Sequence, residues 1–228
     1  MNDIASTKKV PSTVENILTG AGRRYPVLGP ILPDMRRAYE IIAASFREGG
    51  QLLLCGNGGS ASDSEHIAGE LLKGFLLRRP IPDPERRDIA GRLASCATQD
   101  DIQDLLDRLQ LGLPAIPLVS QAAIGSAVAN DLGADLVYAQ QVLALGRPGD
   151  VLLGISTSGN ARNVLQAIKL ARGLDMHTIA LTGSGGGLIA EVAGLCIKVP
   201  ATSTPDVQEL HLPVYHTLCA MLEQEFFG

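Results

Sequence analysis

A chain of 228 residues, 46% apolar and 19% charged, can build one sizeable core and carries too little charge for a disordered segment. Its 19 basic and 24 acidic residues leave a net charge of -5 with no Lys/Arg cluster, which argues against a nucleic-acid partner. No apolar stretch approaches the ~20 residues needed to cross a bilayer, and the opening MNDIASTKKVPSTVEN has no apolar secretory segment, so membrane insertion and secretion are disfavoured.

The four cysteines, Cys55, Cys96, Cys196 and Cys219, form no CxxC pair, and buried free thiols in a reducing cytoplasm are expected. Residues 1–30 read as a polar leader. The first covering helix is predicted over Leu32 to Glu48, with Pro33 early, apolar residues at Met35, Tyr39, Ile42 and Phe46, and a stop at Gly49-Gly50. Gln51 to Cys55 reads as a strand, Gly56-Asn57-Gly58-Gly59-Ser60 as a turn, and Ala61 to Leu77 as a helix.

Between Arg78 and Leu113, three prolines precede a charged helical piece, Gln99 to Gln110; an inserted helical excursion over about 81–112 is expected. Ala115 to Ser120 reads as the next strand. The strand, turn and helix unit then recurs, as Asp150 to Ile155, Ser156-Thr157-Ser158-Gly159-Asn160 and Ala161 to Arg172. Further strands are predicted at His177 to Leu181 and Leu195 to Val199, and a long terminal helix runs from about Pro205 to Phe227. Near-continuously apolar strands alternating with helices imply an α/β fold, a doubly wound and mostly parallel sheet of about five strands covered on both faces.

Three groups of residues point to chemistry. A phosphate needs several short donors converging on it, and Gly- or Ser-rich turns that open helices offer backbone N–H groups, hydroxyls and the positive end of a helix dipole. Both turns would lie at the carboxyl ends of parallel strands, where such sheets bind ligands. Neither turn is a P-loop or a GxGxxG loop, which disfavours NTP- or dinucleotide-driven chemistry; ordinary tight turns would use the same residue types.

His66 and Glu70 stand i, i+4 on one helix face, where they could share a metal or simply pair at the surface. Gln208, Glu209, His211 and His216 lie on the terminal helix. Gln208 and His216 are eight residues apart, about 12 Å along an ideal helix, whereas two ligands of one ion sit only about 3–4 Å apart. To bind one ion, Gln208 must reach from the helix start, or the two must come from different subunits.

The stretches CGNGGSASDSEHIAGEL, GDVLLGISTSGNARNVLQAIKLA, IALTGSGGGLIAEVAG and VQELHLPVYH resemble the SIS-fold sedoheptulose-7-phosphate (phosphoheptose) isomerases over most of the chain outside the leader and the insertion. The resemblance implies a single SIS domain over residues 1–228 and one zinc per active site, held by His66, Glu70, Gln208 and His216. It also implies an acid/base pair, Glu70 and His216, and phosphate-binding positions at Ser60, Ser156, Thr157 and Ser158. Asn57 and Asp131 match positions lining the sugar site, with Gly58, Gly59 and Gln208 also on the substrate.

Aldose–ketose isomerisation through an enediol would need a base near C2 and an acid at the carbonyl oxygen. The implied protein is a cytoplasmic homotetramer with active sites at subunit interfaces. Ala161 and Gly74 depart from the pattern, standing where the family often has a phosphate-binding Ser and an Arg, with Lys73 a substitute for the latter. The alternatives are an SIS isomerase of another phosphosugar and a non-catalytic SIS protein that binds or senses phosphosugars; bound metal separates the last from the others.

Overall fold

The computed structural model describes residues 13–228. Five parallel strands, β1 (Leu52–Cys55), β2 (Ala115–Pro117), β3 (Val151–Ser156), β4 (His177–Thr182) and β5 (Leu195–Lys198), form one sheet in the order β2-β1-β3-β4-β5. Alternate residues of each strand face opposite sides of the sheet. Leu52, Leu54, Val151, Leu153 and Ile155 accordingly enter one buried cluster, and Leu53, Cys55, Leu152 and Ala180 the other.

The first cluster is covered by α1 (Val14–Arg24), α2 (Leu32–Arg47), α3 (Gly59–Leu72) and α10 (Thr204–Phe227). The second is covered chiefly by α7 (Val137–Leu145), α8 (Arg162–Gly173) and α9 (Gly187–Val192). Each covering helix supplies an apolar stripe at three- and four-residue steps, as Met35, Tyr39, Ile42 and Phe46 do in α2. The excursion between β1 and β2 carries α4 (Asp83–Leu93), which buries no residue, and α5 (Gln99–Arg108), which buries Ile102 and Leu106; α6 (Ala122–Asp131) follows β2.

Three expectations about element bounds need correction: first, the strand read over Ala115 to Ser120 stops at Pro117, after which Leu118–Ser120 coils into a 3-10 turn. The stretch read as a polar leader contains α1, capped by the Thr13 hydroxyl and packed on α10 through buried Leu18; the rest of that reading, residues 1–12, lies outside the described residues. The helix expected to run to Leu77 ends at Leu72. Buried Arg79 takes the carbonyls of Leu71 (2.7 Å) and Glu70 (3.1 Å), while buried Glu223 of α10 takes the N–H groups of Phe75, Leu76 and Leu77 at 2.7, 2.7 and 3.0 Å. These contacts supply the partners that a continued helix would have supplied itself, so apolar periodicity alone overran the end.

Cys55 and Cys219 are buried free thiols, as expected; Cys196 is half-buried and Cys96, just beyond α4, is exposed, so burial does not extend to it. Among the described residues no helix is long and apolar enough to cross a membrane.

Candidate active site

In the strand order β2-β1-β3-β4-β5, chain direction across the sheet reverses between β1 and β3, and the crevice outside their carboxyl ends is the place where such sheets take ligands. Both turns singled out in the sequence meet there. Asn57, Gly58, Gly59 and Ser60 follow β1, Ser156 ends β3, and Thr157, Ser158 and Ala161 follow it; with Thr204 and Gln208 of α10 they line a cleft of about 310 Å³. None of these lining residues is charged.

The donors around the cleft are therefore hydroxyls, side-chain amides and the positive end of α3, whose Ser60 and Ala61 N–H groups already reach the Asn57 and Gly58 carbonyls at 3.1 and 3.0 Å. Gly58 has φ +56°, a left-handed conformation that glycine adopts freely and that swings the chain into α3. Asn57 is held by a reciprocal amide pair with Asn163, at 2.8 and 2.9 Å, and by the Tyr138 hydroxyl at 3.2 Å.

Two turns further along α3, His66 and Glu70 face α10. The His66 Nε2 lies 3.1 Å from Glu70 Oε1 and 3.4 Å from His216 Nε2, so three of the four anticipated metal-site residues meet within one chain. The row continues inward: His66 Nδ1 is 3.1 Å from the Tyr215 hydroxyl, which donates to Asp63 Oδ1 at 3.2 Å. Burial raises the Asp63 carboxyl above its ordinary value, opposed by the Tyr215 hydrogen bond, and burial followed by the neighbouring His66 lowers His216.

Gln208 stands apart from this row, with its amide against Gly59 in the phosphate-type cleft, and among the described residues no contact joins it to His66, Glu70 or His216. The reach expected of Gln208 from the helix start is directed to the cleft. Asp131 ends α6, exposed, accepting a 2.7 Å bond from Asn130, and does not line the cleft of this chain.

Two imidazoles and a carboxylate are donors a divalent ion accepts, and the 3.1 and 3.4 Å spacings match those between neighbouring ligands of one ion. As they stand the side chains form a hydrogen-bonded row: among the described residues no three His, Cys, Asp or Glu groups are arranged as a metal cage. The donor set fits an ion in kind; closing on one requires the ion to replace the contact between His66 and Glu70.

Gly74 has no room for a side chain, since a Cβ there would fall 2.4 Å from the Leu77 carbonyl oxygen; the cation beside Glu70 is Lys73, its Nζ 3.7 Å from Oε2. Burial, opposed by a hydrogen bond to the Thr182 backbone, pushes the fully buried His211 down to about 4. Asp63 and Tyr215 were not anticipated, although Asp63 sits i, i+3 from His66 and Tyr215 directly precedes His216.

The chain matches the SIS domain family over residues 32–101 and 101–183. It is 41% identical over 196 residues to a phosphoheptose isomerase of Rhodospirillum rubrum, covering 86% of this chain and 88% of that protein. With one of Akkermansia muciniphila it shares 35% over 215 residues, 94% of this chain and 97% of the other. Among solved structures it superposes on phosphoheptose isomerase GmhA from Neisseria gonorrhoeae with TM-score 0.68 at 32% identity, over 92% of this chain and 96% of that one. A phosphoheptose isomerase from Francisella tularensis superposes with TM-score 0.71 at 28% identity, over 92% and 96%. With its five parallel strands, its paired turns and relatives matched nearly end to end, the chain belongs to the phosphoheptose isomerases, sugar-phosphate isomerases of the SIS fold.

Proposed function

We propose that the protein converts sedoheptulose 7-phosphate to D-glycero-D-manno-heptose 7-phosphate by moving one proton between C1 and C2 through an enediol. The observation carrying this reading is that a single helix, α3, presents an uncharged anion cleft at its first turn and a carboxylate/imidazole row further along. Seven residues at ~1.5 Å each separate Gly59 from His66 by about 10 Å along the axis, which suits a phosphate at one end of an extended sugar and a carbonyl at the other. The remote phosphate then anchors the substrate while chemistry proceeds at the far carbons.

Glu70 takes the proton from carbon, and His216, its charged form disfavoured by burial and then by neighbouring His66, relays a proton at the oxygens. Ser60, Ser156, Thr157 and Ser158 hold the phosphate, and Asn57 and Gln208 hold hydroxyls beside it. His66, Glu70 and His216, completed by Gln208 only if its amide swings out of the cleft, would hold a zinc ion, whose chemistry is to polarise the carbonyl and stabilise charge on its oxygen.

We further infer a cytoplasmic homotetramer with active sites at subunit contacts. Exposed Leu76 and Leu212, near a cleft of about 290 Å³ that reaches His216 between α1, α10 and Phe75, support a subunit contact there. Asp131 would then serve a site it does not reach within its own chain.

The test is turnover of sedoheptulose 7-phosphate by metal-analysed protein whose mass is measured by light scattering. Aldose formation by a zinc-bearing tetramer is expected. A zinc-bearing protein inactive on this ketose but active on another phosphosugar would replace the substrate, and a metal-free, inactive protein that still binds phosphosugars would replace the enzyme with a sensor.

The cleft makes a separate prediction. A Cβ on Gly59 would fall 2.2 Å from the Gln208 Nε2, so Gly59→Ala must push that amide aside. Loss of about one hydrogen bond to the substrate should raise KM roughly tenfold with kcat much less affected. Steady-state kinetics on the variant check it, and an unchanged KM would remove Gln208 from the substrate.

A further inference from the structure

We propose that Asp63 and Tyr215 act as a positioning pair that keeps a proton on His66 Nδ1 and so turns the other ring nitrogen, Nε2, toward Glu70 and His216. The proposal rests on the reading of His66 as a metal ligand for the function it serves. The Nδ1 proton follows from the Tyr215 and Asp63 contacts with Asp63 ionised, and in the metal-free chain the 3.1 Å contact of Nε2 with Glu70 Oε1 needs a further proton between those two atoms. A tyrosine hydroxyl has one proton to give and lone pairs to receive with. An ionised Asp63 can only accept, so the Tyr215 proton goes to Asp63 Oδ1 at 3.2 Å. The hydroxyl oxygen is then left to accept from His66 Nδ1 at 3.1 Å.

Packing holds the ring in that pose. Tyr215 is 2% exposed, and the rings of His66, Tyr215 and His216 stand mutually edge-on, with centroids 5.5, 4.9 and 5.1 Å apart. Rotating His66 to exchange its nitrogens would break the hydroxyl contact on one side and the carboxylate contact on the other. The hydrogen bond made by one ring nitrogen decides which nitrogen is left for an ion, and such supporting partners are typically worth about 10–100-fold in metal affinity. Asp63 Oδ2 is buried with no partner among the described residues, so the carboxylate's hydrogen bonding to the protein is concentrated on this tyrosine.

The test uses full-length protein in two measurements. Two-bond ¹H–¹⁵N correlation spectra of ¹⁵N-histidine-labelled, metal-free protein at neutral pH should show His66 Nδ1 protonated in the wild type, the signal being assigned by its loss in His66→Gln. In Tyr215→Phe, which keeps the ring packing, that nitrogen should lose its proton. Chelator competition should show zinc affinity lowered about 10–100-fold in Tyr215→Phe. Asp63→Asn, which retains an acceptor for the hydroxyl, should lose much less.

A wild-type His66 with Nδ1 unprotonated overturns the proposal, as does unchanged zinc affinity in a Tyr215→Phe variant with native circular dichroism. Wild-type protein that binds no zinc, yet shows the Nδ1 proton and its loss in Tyr215→Phe, overturns the metal reading and upholds the positioning pair.

Discussion

Glu70→Gln is expected to lower turnover of sedoheptulose 7-phosphate by about 10²–10⁴-fold, the range that a positioned general base supplies. The substitution preserves shape: Glu70 is mostly buried, with Oε1 against His66 and Oε2 facing Lys73. What it removes is basicity, and one anionic donor to any ion held with His66 and His216. Because the phosphate is anchored in a cleft that Glu70 does not line, the loss should fall on kcat with KM nearly unchanged. Metal content is measured on both proteins. A loss of kcat at equal metal occupancy assigns the proton transfer to Glu70, and a loss that tracks missing metal assigns it the ligand role first. A kcat within about threefold of wild type would place the base elsewhere.

Glu223→Gln should produce the largest loss of stability, about 3–5 kcal/mol, because it leaves the fully buried Arg79 guanidinium without its counter-charge. Glu223 also accepts three backbone N–H groups from the 75–77 segment and the Arg79 Nε at 2.9 Å, while the Phe227 ring lies 4.6 Å from the guanidinium carbon. For a chain of this size, 1 kcal/mol corresponds to roughly 2–4 °C, so a fall in Tm of about 6–20 °C is expected by calorimetry.

The double variant Arg79→Met, Glu223→Leu removes both charges and should be less damaged than the sum of the single replacements. It should not recover fully, since the N–H groups of Phe75, Leu76 and Leu77 then have no acceptor. Full recovery would show that Glu223 serves only as the arginine's counter-ion. The same contacts tie the end of the Glu70-bearing helix to the helix bearing His216, so the stability of this clamp and the geometry of the site share residues.

Read as a string, the chain discloses the strands and the helices α2, α3, α5, α8 and α10, because burial on both faces forces unbroken apolar runs such as LLLC and VLLGIS, and covering helices need a stripe of period 3.6. The turns after β1 and β3 are legible for a similar local reason: small residues and glycine are what a tight approach to a helix start requires. His66 with Glu70 is legible as one helix face.

Other features depended on pairs remote in sequence. That α3 stops at Leu72 is decided by Arg79 and by Glu223, some 150 residues away, whose charges take the backbone groups a further turn would have satisfied. That His216 joins His66 while Gln208 goes to the phosphate cleft is decided by how α10 lies along α3. That Asp63 reaches His66 only through Tyr215 is decided by the same packing. Local sequence determines which groups can donate, accept or ionise, since these are properties of residue types and short-range periodicity. Which of those groups meet is set by the packing of helices far apart in the chain, where burial makes each unpaired polar atom costly and so selects the partners.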